Sequence, residues 1–376
     1  MKRNKLLLGL TAGLGVTMAA GMLAPTPAGA VPPPANPGAV LAAVGSDTVY
    51  FVMNGLSDAY NVDNVINIEA TKDRLINVAP VVTAPFSAGT VVPAEGACVE
   101  KVYKLGNLPP DGSSAGISAL TADTDGCFDL ARSSRGRKAT DAASLEFFAY
   151  GLDALTWAKF PGAAPPNNLT QQQLINIYTC NAVTGLPIVS NWSQVGGANV
   201  PIKKYAPQTQ SGTYSFWNSK ILNGATIDQN CNAANKSTFL QEHDARGVAA
   251  ANRQGAILPF SYGQWNAAEN FLVPDRRAGV VLNLINNVTP NLATIKEAPA
   301  GRFLGTRYVY NVLKTGSPRY SSAKRFAGVD NAGGGFLCRN LARNILIAYG
   351  ITPLPLAATG GGVTINSYCR RNPADL

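Results

Sequence analysis

Three short segments share one chemical design. Gly45-Ser46-Asp47-Thr48, Gly112-Ser113-Ser114-Ala115-Gly116 and Ser211-Gly212-Thr213 each combine glycine with hydroxyl side chains, and each stands at the expected start of a helix. Glycine lets a backbone come close to a guest, and hydroxyls donate hydrogen bonds. A helix start offers amide N–H groups that have no intrahelical acceptor, at the positive end of the macrodipole. Three such turns meeting at one point would hold a small oxyanion with neutral donors. A fourth segment, Arg132-Ser133-Ser134-Arg135, adds hydroxyls and two guanidiniums, whose fork suits a tetrahedral anion. Each turn alone also fits ordinary helix capping, and the two arginines also fit a solvated basic loop continued by Arg137 and Lys138.

Other chemistries have less material. Gly112 to Gly116 also spells G-x-S-x-G, the nucleophile elbow of hydrolases, with Ser114 as nucleophile and His243 and Asp244 as base and orienter. An elbow must follow a buried strand, and Leu105 to Asp111 carries two prolines and little apolar surface. His243, flanked by Glu242 and Asp244, is expected at the surface. One histidine, and six cysteines without a C-x-x-C pair, leave little for zinc or haem. No cofactor, no metal and no enzymatic activity are expected.

The elements that must position these turns alternate between strand and helix, which argues for α/β architecture. The 376 residues suggest two domains, and 46% hydrophobic against 14% charged residues excludes disorder for most of the chain. Val49, Val52, Met53, Leu56 and Tyr60 have the spacing of an amphipathic helix, after which Val62 to Ile68 alternates like a strand. Residues 71 to 108 read as irregular with short β-like runs. Cys127 to Ala131 is a short buried strand, and Phe147 to Trp157 a buried central one. Asn168 to Thr179 and Gly212 to Leu222 are helices, Ile202 to Tyr205 a strand. Gly279 to Ile285 and Thr306 to Leu313 are strands or short helices, and Phe336 to Tyr349 is a late helix.

The first thirty residues have the layout of a secretory signal: Lys2, Arg3 and Lys5, an apolar stretch from Leu6 to Met22, then Ala28-Gly29-Ala30, with cleavage before Val31. No cysteine follows the apolar stretch, so no lipoprotein acylation site is offered. The expected address is secreted or extracellular. In that setting Cys98, Cys127, Cys180, Cys231, Cys338 and Cys369 favour three disulfides. Pairing of sequence neighbours is expected: Cys98–Cys127, Cys180–Cys231 and Cys338–Cys369. The net charge of +9 is dispersed apart from residues 132 to 138 and Arg370-Arg371, and no nucleic-acid motif is present, so no nucleic-acid partner is expected.

The four turn segments, in this order, resemble the high-affinity phosphate-binding proteins that feed ABC transporters. SNWSQVGGANVPIKKYAPQTQSGTYSFWNSKIL is similar to the family's stretch ending in S-G-T before an aromatic-bearing helix. NNLTQQQLINIYTCN, GLDALTWA and LPPDGSSAGISAL are similar to further family segments, and the likeness covers roughly residues 41 to 275. Within the family, the chain resembles a secreted, disulfide-bearing branch of high-GC Gram-positive bacteria. The resemblance implies the type 2 periplasmic-binding-protein fold, with two α/β lobes around a ligand cleft. Residues 1–30 would be the signal peptide and 31–40 a Pro-rich lead-in. Lobe 1 would take 41–155 and the returning 276–376, and lobe 2 would take 156–275.

Carried over residue by residue, the resemblance implies ligand contacts at Asp47 and Thr48 with Ser46 adjacent, at Ser113 or Ser114, and at Ser211, Gly212 and Thr213. The family's acid, which accepts the proton of hydrogen phosphate, falls on Ser134, and its arginine before S-G-T falls on Pro207. Arg135 is the expected replacement cation and Asp47 the expected replacement carboxylate. If Asp47 has no such part, sulfate should compete with phosphate. The implied partners are a small phosphate-like oxyanion and an ABC permease, and the chain would act as a monomer. The other classes are a cell-surface or secreted protein that keeps the binding fold without transport, and the Ser114 hydrolase.

Overall fold

The computed structural model describes residues 40–66, 73–80, 90–94, 96–104, 106–162, 164–328, 335–356 and 368–376. The expected signal peptide and nearly all of the Pro-rich lead-in lie outside them. The described residues belong to one unit, Pro34–Leu376.

A long mixed sheet organises the chain. The strands on its main path are β1 (Val40–Gly45), β2 (Arg74–Asn77), β5 (Leu130–Ser133), β6 (Leu145–Lys159), β8 (Lys203–Pro207), β9 (Thr238–Leu240), β10 (Ala256–Ser261) and β13 (Thr306–Lys314), in the order β2-β1-β5-β13-β6-β10-β8-β9. The β2, β1 and β5 strands run parallel, as do β10, β8 and β9. The antiparallel strands β13 and β6 lie between these two sets. All fifteen residues of β6 are buried, and it pairs with β13 through its first two-thirds and with β10 near its end. The expected central strand is therefore present, and it joins two sheet halves. A bulge at Tyr150, opposite Val309 and Tyr310, resets its register. As a result Ala149 and Leu152 face one core cluster while Phe148 and Tyr150 face the other.

Helices cover both faces. On β1, Leu41 and Ala43 pack beneath α1 (Tyr50–Ile66) and α7 (Asn340–Ala348), while Ala42 and Val44 pack with Ile117 and Leu120 of α2 (Ser113–Ala122). Burying each such large apolar side chain is worth roughly 1.5–3 kcal/mol. The α1 helix carries the predicted Val52, Met53, Leu56 and Tyr60 stripe, with Val49 in the turn just ahead of it, but does not stop at Val62. Instead of the expected strand, helix continues to Ile66, because Asn61 docks on the edge strand β2. Its side-chain oxygen accepts from Leu75 N–H (2.9 Å), and its amide donates to the Leu75 carbonyl (3.1 Å). That tertiary contact outweighs the β-branched alternation. The expected late helix is likewise shorter, Asn340–Ala348, since Phe336–Cys338 forms a separate 3₁₀ turn and Tyr349 caps the end.

In the second half, α3 (Gln171–Tyr178) begins at a capping box in which Thr170 and Gln173 bond each other's backbone N–H groups. The helix after Ser211 is α4 (Gly212–Phe216), which passes into a π turn over Trp217–Ile221. The segment 279–285 is strand, as β11 (Val281–Leu282) and β12 (Leu284–Ile285). The three disulfides are Cys98–Cys127, Cys180–Cys231 and Cys338–Cys369. No helix among the described residues is long and apolar enough to cross a membrane.

Candidate functional site

The Ser46–Thr48 turn leaves the C-terminal end of β1. Gly45 makes this possible, because its φ of +98° is a backbone state side-chain-bearing residues rarely adopt. The Ser211–Thr213 turn leaves the end of β8 in the other sheet half, and Ser211 caps its helix by accepting from the N–H groups of Thr213 and Tyr214. The Ser113 turn opens α2, and Ser134 follows β5. These segments meet. The Thr48 and Thr213 hydroxyls are 3.2 Å apart, Ser134 donates to Thr48 at 3.3 Å, and Ser113 and Ser134 are 3.3 Å apart. Ser46 donates to Ser134 at 3.3 Å. Gly212 sits so close that a Cβ there would fall 2.2 Å from Ser113 Oγ and 2.5 Å from Ser134 Oγ. The backbone N–H groups of Asp47, Thr48, Ser113 and Gly212 donate to no partner among the described residues. Hydroxyls from four segments thus meet, and three of those segments carry unclaimed amides.

Three charged or ionisable residues outside the expected ligand-binding set complete the cluster. His243, expected at the surface, is 2% exposed, with φ of 59°. A non-glycine residue in the left-handed region is uncommon and persists where its surroundings over-determine it. Burial, then the charges of Arg307 and Arg276, hold its pKa well below the usual histidine value, so the ring is neutral. Ser261 N–H donates to Nδ1 at 3.1 Å. The network therefore assigns the proton to Nε2, which faces the hydroxyls of Thr48 (2.9 Å) and Thr213 (3.3 Å).

Glu242 is also buried. Its Oε2 accepts from Ser211 at 2.5 Å and from Thr48 at 3.3 Å, while Oε1 has no hydrogen-bond partner among the described residues. Burial and the charge of Asp47 raise its pKa. Arg307 on β13 donates to Thr213 Oγ1 at 3.2 Å while its Nε and Nη2 bond Asp153 of β6 at 3.1 and 2.8 Å. The signal that could have found Arg307 is weak: a lone arginine amid the apolar strand YVYNVL, with a lone aspartate in the equally apolar LDAL.

Other expected site residues point elsewhere. Arg135 forms a two-pronged ion pair with Asp141 (2.7 and 2.9 Å) and donates to Ser114 Oγ at 3.1 Å, so neither Arg135 nor Ser114 joins the hydroxyl cluster. The Asp47 carboxylate is taken by Arg276 at 3.0 and 3.3 Å and accepts from Gln241 at 3.3 Å, rather than standing free as an acceptor. Arg132 is wholly buried behind the first turn. Among the described residues, Ser114 has no imidazole partner, and no strand immediately precedes its turn, so the nucleophile elbow is not formed.

The sequence model of the PBP superfamily domain matches residues 91–329. Protein SphX of Synechococcus elongatus is 31% identical over 104 residues, a match that takes in 27% of this chain and only 29% of that protein's length. The fold is similar to that of an ABC-type phosphate transport receptor from Vibrio cholerae (19% identical, TM-score 0.53, 84% of this chain and 100% of that one). It is also similar to a phosphate ABC transporter substrate-binding protein with bound phosphate from Clostridium perfringens (16% identical, TM-score 0.56, 84% and 100%). The parallel strand sets on either side of β6, the turns at their ends and these matches have one reading: the chain belongs to the PBP superfamily and has the type 2 periplasmic-binding-protein fold.

Proposed function

We propose that this protein binds a small tetrahedral oxyanion, phosphate, between its two sheet halves and does so without transforming it. The observation that carries this reading is the convergence of the Thr48, Ser113, Ser134 and Thr213 hydroxyls with the unclaimed amides of Asp47, Thr48, Ser113 and Gly212. Neutral dipoles aimed at one point suit a fully desolvated anion. Arg307 reaches the cluster as a cation, and the Nε2–H of neutral His243 adds a donor. Ser211 acts by capping its helix and holding Glu242; Ser46 supports Ser134.

Glu242 is proposed in the part expected of Asp47. Its Oε1, unpartnered among the described residues, is open to a hydrogen from the ligand. Hydrogen phosphate carries one and sulfate does not, so an unprotonated anion would leave two negative groups facing each other. Calorimetric titration of the full chain with both anions tests the reading. Saturable heat from phosphate with much weaker sulfate binding is expected; no heat from either refutes it. The solved ABC-type phosphate receptors of the same fold support an ABC permease as partner. The proposal keeps two lobes, 41–155 with 276–376 and 156–275, and secretion by way of the 1–30 leader. The disulfides fit an oxidising compartment.

A further inference from the structure

Four buried arginines surround the hydroxyl cluster, and three of them rest on a carboxylate. Arg135 is paired with Asp141, Arg276 with Asp47 and Arg307 with Asp153. Arg132, which is 0% exposed, is not paired with any carboxylate among the described residues. Its five N–H donors go to five oxygens: Nε to the Ser46 carbonyl (3.3 Å), Nη1 to the Ala43 carbonyl (2.6 Å) and Asn77 Oδ1 (2.5 Å), Nη2 to the carbonyls of Gly45 (2.8 Å) and Val78 (2.9 Å). The Arg132 carbonyl in turn accepts from Ser46 N–H at 3.2 Å, and the Tyr50 ring lies 5.5 Å from the guanidinium.

A buried cation satisfied only by dipoles keeps its field. Here that field reaches the first turn through one peptide group. The Ser46 carbonyl accepts from the guanidinium, and the N–H at the other end of the same peptide unit belongs to Asp47, which donates to no partner among the described residues. Hydrogen bonds in series polarise one another, so the accepted bond makes that N–H a stronger donor.

We propose that Arg132 is a positioning residue of the anion site, which fixes the 45–48 turn by its carbonyls and supplies, through the Ser46–Asp47 peptide, a positive charge that the ligand senses without touching it. The inference rests on the oxyanion reading above. It assigns charge and geometry to the same side chain, and two substitutions separate them. Asn77→Asp places a carboxylate against Nη1 and offsets the charge while the fork stays; the Asn54 amide, which now accepts from Asn77, can turn to donate, and the bond from Asn77 to the Tyr50 carbonyl (2.9 Å) is given up. Arg132→Lys keeps the charge and loses the fork.

The experiment titrates inorganic phosphate into the full-length wild type and both variants, alongside thermal melts and the amide proton shifts of Asp47 and Thr48. Asn77→Asp should melt within a few degrees of wild type, bind phosphate at least about tenfold more weakly, and shift the Asp47 amide proton upfield. Arg132→Lys should also bind more weakly, with shifts throughout residues 45–48. A folded Asn77→Asp chain that binds within twofold of wild type, its Asp47 shift unchanged, overturns the inference and leaves the oxyanion reading standing. If the wild-type chain gives no heat with phosphate, the reading falls and the inference falls with it.

Discussion

The two sides of the hydroxyl cluster manage charge in opposite ways. The side built on β1, α2 and β5 presents Thr48, Ser113 and Ser134, all neutral, and keeps its cation Arg132 behind a layer of carbonyls. The side built on β8 and β9 brings its ionisable groups forward: Glu242 and His243 bond Thr48 directly, and Arg307 reaches Thr213 from β13, which lies between the two strand sets. The first side is thus suited to any small anion of the right size. On the proposed reading the second, through Glu242, tests the ligand's protonation. Generic affinity and chemical discrimination would then lie on different strands and could be broken separately.

The sharpest break removes the fit between the sides. In Gly212→Ala the new Cβ would meet Ser113 and Ser134 Oγ at 2.2 and 2.5 Å, forcing the two turns apart. Phosphate affinity should fall by roughly 100-fold or more in calorimetry, in line with the loss of several charge-assisted hydrogen bonds of about 1.5–3 kcal/mol each. Retention of wild-type affinity would show that the sides need not approach this closely.

Next in size is discrimination. Glu242→Gln should weaken phosphate roughly tenfold while strengthening sulfate, so that the two affinities approach each other. An equal loss for both anions would reduce Glu242 to a structural support of Ser211.

A smaller effect concerns Asp111, at the border of the two sides, which accepts from Gln208 and Gln241. Burial, with Asp47 and Glu242 nearby, pushes its pKa from 3.8 up to about 8. A carboxyl raised in the folded state contributes stability below the unfolded value, and that contribution is lost as pH rises through about 8. Wild-type melting temperature should therefore decline between about pH 4 and 8 and level off above that. In Asp111→Asn the decline should flatten, with a melting temperature a few degrees above wild type at pH 9. Identical profiles would place Asp111 outside the linkage. The smallest binding effect is expected from Arg135→Met: affinity within about twofold, because the guanidinium serves Asp141, but a loss of about 2 kcal/mol in stability on denaturant unfolding. A large affinity loss without destabilisation would return Arg135 to the site.

Much of the first side was legible because its information is local. A glycine and hydroxyls at the end of a strand predict a turn with free amides, and Ser46–Thr48, Ser113, Ser134 and Ser211–Thr213 do converge. The buried run of β6 announced itself in the same way, by unbroken apolarity. The charged residues were misjudged because side-chain partnership is a tertiary property. Arg132 and Arg135 look alike in the sequence, yet one faces the carbonyls of β1 and the other, three residues on, clears the strand end and finds Asp141. His243 looked exposed between two acids, but Glu242 turns inward with it and only Asp244 stays out, bonded to Arg246.

The sequence by itself determined the alternating elements, the turns that open the helices and the supply of neutral donors, since these follow from periodicity and from short-range backbone chemistry. The tertiary structure alone decided which cations are neutralised, which carboxyl keeps an open oxygen and which histidine stays uncharged. Those outcomes depend on desolvation and on partners between two and more than two hundred positions away, and neither quantity is written in any local stretch of chain.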